Sequence, residues 1–206
     1  MKGFQIDNGQ SKNKKDSSSI KKIYDKAVHS HQNGDLIKAK EYYNKCIEKG
    51  MNTPSLLCNY AVLFKQQGNI KKAINLYKKS ISLYPEYSDL YHNYGNLLYI
   101  QKNLDEAEII VGKAITLKPG FPVSHYLLAQ ILIEKKKFID AKYSLQKVIQ
   151  LNEKFIAAYL KLSQVLILLK DNKEAKKILL KSIKISPESA ESYLNLGAIL
   201  MDTNEF

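Results

Sequence analysis

Four histidines (His29, His31, His92 and His125), two cysteines (Cys46 and Cys58) and a scatter of carboxylates are the side chains of this 206-residue chain that could carry acid–base, nucleophilic or metal chemistry. Their spacing does not assemble it. None of the histidines stands in a His-Glu-x-x-His or Cys-His arrangement that would hold zinc, so no metal site and no cofactor is expected. No glycine-rich phosphate loop, Gly-x-Ser-x-Gly elbow or Walker motif occurs. Asp105, Glu106 and Glu108 fall at the start of a predicted helix, where negative charge complements the helix dipole. The chain is expected to be non-catalytic.

The remaining charge is basic. The formal net charge is +12, and all 32 basic residues are lysine, with no arginine in the sequence. Arginine is the residue that forks onto guanine or phosphate, so its absence argues against specific nucleic-acid binding. Two cysteines without metal-ligand spacing suit a reducing compartment, and a cytoplasmic location is expected. The unbroken apolar runs, such as Val165 to Leu169, fall far short of the roughly 20 residues a spanning helix needs, so no transmembrane segment is expected. Residues 1–19, rich in Lys, Asn, Ser and Gln, read as a disordered lead that lacks the apolar core of an export signal.

The elements that must position any site are set by a repeat. Ala39, Ala73, Ala107, Ala141 and Ala175 are each 34 residues apart. The same step links Ile47, Ile81, Ile115, Ile149 and Ile183, and it links Pro85, Pro119 and Pro187 with Glu153 in the missing slot. A fixed period of this length means a stacked array of small supersecondary units. With residue 20 as position 1, complete units run 20–53, 54–87, 88–121, 122–155 and 156–189, and a partial sixth covers 190–206. Low glycine and proline content favours helix. In each unit the first half has apolar residues at helical spacing, as in Leu57, Tyr60, Ala61 and Phe64. A breaker follows (Gly34, Gly68, Lys102, Lys136 or Lys170), and the second half shows the 3.6 period again before the proline slot. Small residues at position 8 (Ala27, Ala61, Gly95, Ala129, Ser163, Gly197) and at position 20 let the two helices approach closely.

The 34-residue step, the aromatic at position 4 (Tyr91, Tyr159, Tyr193), Leu196-Gly197 and Tyr94-Gly95 at positions 7 and 8, alanine at 20, Tyr43 and Tyr77 at 24 and proline at 32 resemble the tetratricopeptide repeat over residues 20–206. Tyrosine stands in place of tryptophan at position 4, the fourth unit has His125 there and lacks the proline, and the first is degenerate at Lys26 and Ser30. The resemblance implies an all-α, right-handed superhelical solenoid and a non-catalytic protein–protein interaction scaffold. It also implies a concave groove, lined by first-helix positions 2, 5, 6, 9, 12 and 13, that binds a peptide or an extended partner segment. In this sequence those positions supply Asn59, Asp89, His92, Asn93, Asn96, Tyr99, Tyr126, Gln130, Lys161 and Gln164, with Cys58 and Lys65. Carboxamides donate and accept together, which suits a peptide backbone of any sequence. Leu127 and Lys161 interrupt the amide column. The two-lysine, two-asparagine carboxylate clamp of chaperone-binding relatives is not expected, because position 5 reads Tyr24, Cys58, His92, Tyr126, Leu160 and Leu194.

Two other readings stay open at this point. Similar arrays precede glycosyltransferase, sulfotransferase or hydroxylase domains, so the segment could be the substrate-recruiting front of a longer enzyme. The lysines of the second helices (Lys173, Lys177, Lys181 and Lys184; Lys71, Lys72, Lys78 and Lys79) are expected on a convex solvated face, with weak attraction to acidic partners, nucleic acid or an anionic membrane as the rival reading. In the sixth unit Leu196, Ile199 and Leu200 are expected around a helix with no second helix to cover whichever of them point outward. Either the natural chain continues, or this edge self-associates weakly.

Overall fold

The structure is a computed structural model, and it describes residues 9–202. All regular structure among them is helical: α1 (Gly9–Gln32), α2 (Leu36–Glu48), α3 (Pro54–Gln66), α4 (Ile70–Leu83), α5 (Ser88–Ile100), α6 (Leu104–Leu117), α7 (Pro122–Glu134), α8 (Phe138–Leu151), α9 (Ile156–Leu168), α10 (Asn172–Ile185) and α11 (Ala190–Asp202). The helix bounds repeat with the sequence. The first helices α3, α5, α7, α9 and α11 start at position 1, and every second helix starts at position 17. The lead expected over 1–19 overlaps α1, which runs from Gly9; residues 1–8 lie outside the described residues.

The breaker slot has one geometry and two chemistries. Position 15 is left-handed in all five units, with φ of 78° at Gly34, 75° at Gly68, 61° at Lys102, 58° at Lys136 and 62° at Lys170. In each, the next residue's N–H returns to the carbonyl at position 11, as from Asn69 to Phe64 (2.8 Å) and from Asn103 to Leu98 (3.0 Å). The position-15 N–H bonds the carbonyl at position 12, as from Lys102 to Tyr99 (2.9 Å). This pair of bonds is the Schellman closure of a helix, and it demands the left-handed residue that glycine supplies without steric cost. The second helices α4, α6, α8 and α10 all stop at position 30. Proline is not needed for this, because α8 stops at Leu151 like the others although Glu153 holds the proline slot.

All five position-20 alanines are 0% exposed, so the hairpins close on them. At position 8 the approach is close at Gly95, where an added Cβ would lie 2.4 Å from Val111 Cγ2. Contacts divide the chain into two compact units, Met1–Leu90 and Tyr91–Phe206. The first unit's core gathers Ala27, Ala39, Tyr43, Cys46, Leu56, Tyr60 and Leu63, with Tyr24, Phe64 and Tyr84 packed around it. Both cysteines are buried and form no disulfide. The second unit's core is aliphatic: Leu145, Val148, Leu162, Val165, Leu166 and Leu179 with Tyr159.

The last helix settles which of its apolar residues point outward. Ile199 of α11 is buried and Leu196 packs on the same core, because three residues return the chain to the inward face of a helix. The outward face carries Leu194 (73% exposed) and Met201, seven residues apart, with Tyr193 beside them.

Candidate functional site

The first helices carry the expected groove side chains, and each unit holds its own set. In the first unit, Asn59 on α3 is half-buried and already engaged: its Nδ2 donates to the Tyr24 hydroxyl at 3.0 Å. Burial raises the Tyr24 phenol above its ordinary pKa, and the Asn59 bond opposes that shift. Nearby lies a histidine that sequence reasoning did not select. His31 Nε2 is 2.9 Å from Gln66 Oε1, and His31 Nδ1 is 3.2 Å from the Tyr43 hydroxyl. The Nε2–H tautomer satisfies both, donating to the amide oxygen and accepting from the phenol. Val28, His31, Gln32, Tyr43, Asn59 and Gln66 line a polar cleft of about 310 Å³. His31 and Gln66 stand at positions 12 and 13, so the groove register itself was the signal that could have found them. Asp89 is half-buried; its carboxylate lies 3.3 Å from the Ser88 hydroxyl, and its carbonyl accepts from Cys58 Sγ at 3.8 Å.

In the second unit the groove positions lie on α5, α7 and α9. His92 Nδ1 is 3.0 Å from Ser124 Oγ, and its ring meets Phe121 edge-on with centroids 5.8 Å apart. Tyr99 is tied to Glu134. Burial and that carboxylate push its phenol up to about 12, and Lys102 sits 5.5 Å from its ring centroid. Lys102 also donates to Glu134 at 2.8 and 2.9 Å, which together with the Tyr99 hydroxyl holds the Glu134 carboxyl below its usual range. Tyr126 tilts against Phe155 with centroids 5.0 Å apart, and burial raises its phenol. Lys161 Nζ donates to Gln164 Oε1 at 3.2 Å. Asn93, Asn96 and Gln130 are half-buried on the same helices. The lysine that interrupts the amide column is therefore hydrogen-bonded to one of its members.

The carboxylates at the start of α6 do more than complement a dipole. Lys135 ion-pairs with Asp105 and, at 2.6 Å, with Glu108; Lys137 meets Glu108 at 2.9 Å. The Tyr94 hydroxyl donates to Glu106 at 2.8 Å. His125, at the position-4 aromatic slot, donates from Nε2 to the Pro119 carbonyl at 2.8 Å, a bond that helps fix the start of α7. Among the described residues no group of His, Cys, Asp and Glu could hold a metal ion, and no helix is long and apolar enough to cross a membrane.

Helical hairpins of fixed length, each closed by the same left-handed turn and stacked through small residues, define a helical-repeat protein whose first helices present polar side chains. Family models agree on which repeat it is. Tetratricopeptide repeat models match residues 64–131 and 23–48, and a model of anaphase-promoting complex, cyclosome, subunit 3 matches residues 100–182. The chain is a tetratricopeptide repeat protein. Among solved structures, it is similar to Pseudomonas aeruginosa pilF (TM-score 0.81, 21% identity, covering 92% of this chain and 86% of that one). It is also similar to YrrB, a TPR protein with an unusual peptide-binding site (0.67, 21%, 79% and 84%), and to MamA from Desulfovibrio magneticus RS-1 (0.71, 17%, 83% and 97%). At these identities the likeness is one of fold. No curated protein matches the chain.

Proposed function

We propose that the chain is a non-catalytic scaffold that holds an extended peptide or partner segment against its first helices. The observation that carries this reading is the half-buried carboxamide set Asn93, Asn96, Gln130 and Gln164 on α5, α7 and α9. These groups offer donors and acceptors on positions that are neither core nor fully solvated, flanked by Tyr99 and Tyr126, whose neighbours hold them in place. Amide and phenol groups so placed pair with peptide backbone without reading its charge. The peptide-binding site of YrrB, a protein of similar fold, supports the same use of the repeat.

The test is a library of uncharged decapeptides panned on the intact chain. Binding of the selected peptides is then measured by fluorescence anisotropy. Asn93→Ala with Asn96→Ala is expected to weaken binding about tenfold or more, since each lost hydrogen bond contributes about 1 kcal/mol, while far-UV circular dichroism stays unchanged. Normal binding by this variant, with loss of binding by Lys177→Glu with Lys181→Glu, would move the site to the second helices and sink the proposal.

A further inference from the structure

The exposed face of α10 was expected to be a solvated lysine stripe, with weak attraction to acidic partners, nucleic acid or an anionic membrane as the rival reading, but it is not a uniformly polar one. From Lys173 to Lys184 it carries five lysines and one glutamate. A cleft opens beside it, and a shallow depression lies on it. The cleft, of about 350 Å³, has an apolar floor of Ile149 from α8, Tyr159 from α9 and Ile178 and Ile185 from α10, with Lys181 and Lys184 at its border. The depression, of about 390 Å³, is built around Leu180 and the stems of the surrounding lysines, and it shares Lys181 and Lys184 with the cleft. Leu180 is 50% exposed, a large apolar side chain in the middle of a cationic face. Lys177 is drawn to Glu174 at 3.3 Å, whereas among the described residues Lys181 and Lys184 form no ion pair.

We infer that this face of α10 is a second docking surface, for an acidic protein segment that carries large apolar side chains. Three observations select that occupant. The charge complement is anionic, and lysine heads on long apolar stems can meet carboxylates while the stems cover apolar groups. The centre of the floor is recessed: Tyr159 and Ile178 are only 3% and 8% exposed, against 39% at Ile185, so a flat bilayer surface cannot reach them but an inserted side chain can. The floor is also aliphatic apart from Tyr159, whose ring is buried, so no aromatic platform is offered to stack nucleic-acid bases. Glu153 borders the cleft as well, which turns the acidic groups of a bound segment toward the Lys181 and Lys184 side. This surface lies on a second helix, so it stands or falls independently of the first-helix groove.

The test uses the intact chain and fluorescein-labelled dodecapeptides followed by anisotropy. One probe is glutamate-rich with two phenylalanines a helical turn apart, and the other is all glutamate. Phosphatidylserine vesicles and a single-stranded oligonucleotide are run beside them. The phenylalanine-containing probe is expected to bind, and to bind about tenfold more weakly to Lys181→Glu with Lys184→Glu and to Leu180→Ser. The all-glutamate peptide should also bind about tenfold more weakly, and the groove variant Asn93→Ala with Asn96→Ala should bind the probe normally. Circular dichroism confirms that the exposed-site variants fold. Equal binding of the two peptides, unchanged binding by the α10 variants, loss only in the groove variant, or α10-dependent binding of vesicles or oligonucleotide in place of the peptide would each overturn the inference.

Discussion

The two compact units fill one repeat template with different chemistry. In the first, position 24 is tyrosine (Tyr43, Tyr77) and the turn residue is glycine (Gly34, Gly68). In the second, position 24 is aliphatic (Val111, Leu145, Leu179) and the turn residue is lysine (Lys102, Lys136, Lys170). The tyrosines build an aromatic chain, with Tyr43 5.6 Å from Tyr60 and Tyr60 4.4 Å from Phe64 between centroids. Buried phenols bring polar needs inside: Tyr43 meets His31, and Tyr60 donates to Asn44 at 2.6 Å. The aliphatic unit has no such need at position 24. Its buried polar links are small hydroxyls, as between Ser182 and Ser192, and its ion pairs lie nearer the surface, in the Lys135, Asp105 and Glu108 cluster and in the Lys102–Glu134 pair. The template thus keeps positions 8 and 20 small at the hairpin contact, while position 24, buried in both units, varies in size and in polarity.

The largest expected effect tests whether size is the controlling variable. Gly95→Ala places a Cβ 2.4 Å from Val111 Cγ2 and 3.4 Å from the Val111 backbone nitrogen, and should cost about 1 to 3 kcal/mol by overpacking. Gly197→Ala, at the same position of the partial unit, meets nothing within 4 Å. It should be neutral or stabilise by up to about 1 kcal/mol through helix propensity. Urea unfolding of both variants decides the matter; equal shifts would show that the position-8 contact does not control stability.

A smaller effect, of opposite sign, is expected at the turns. Lys102→Gly, Lys136→Gly and Lys170→Gly should each stabilise the second unit by about 1 kcal/mol, because lysine bears a left-handed backbone penalty that glycine lacks. Gly68→Lys should destabilise the first unit. At Lys102 the gain should be partly offset by loss of the exposed pair with Glu134, and thermal melts of Lys102→Gly against Lys170→Gly measure that difference.

The smallest effect concerns acid. The Lys135 ammonium holds the Asp105 and Glu108 carboxyls below their usual range. A carboxyl depressed in the folded state adds stability that is complete above its unfolded pKa, about 4, and that disappears as pH falls through the folded value. Asp105 is largely solvated and the whole cluster borders solvent, so the contribution is small. Between pH 7 and pH 3 the urea midpoint should fall slightly more for the parent chain than for Lys135→Met. An identical fall in both would detach these pairs from the acid response.

The alanine column, the glycine-or-lysine slot and the position-30 stops were legible because a repeat states each rule several times. A single unit would not have sufficed: a lysine turn such as Lys136 carries no left-handed signal until Gly34 and Gly68 stand in register with it. Register also named which side chains belong to the first-helix face. It did not show their pairings. His31 between Tyr43 and Gln66, His92 on Ser124, and Tyr99 with Lys102 on Glu134 depend on rotamers and on distances between successive hairpins, which a linear pattern does not encode. The orientation of α11 was left open for a related reason. Leu196, Ile199 and Leu200 look equally exposed in a list of apolar residues, and only the helical phase separates buried Ile199 from exposed Leu194.

The two cysteines give the first unit a built-in reporter. Both are buried, burial pushes the Cys46 thiol up, and the second unit has none. Alkylation requires a solvent-exposed thiolate, so under native conditions the modification rate of the unaltered chain records the opening frequency of the first unit alone. A slow-reacting reagent then reads its local opening free energy, with no engineered label and no signal from the lysine-turned repeats.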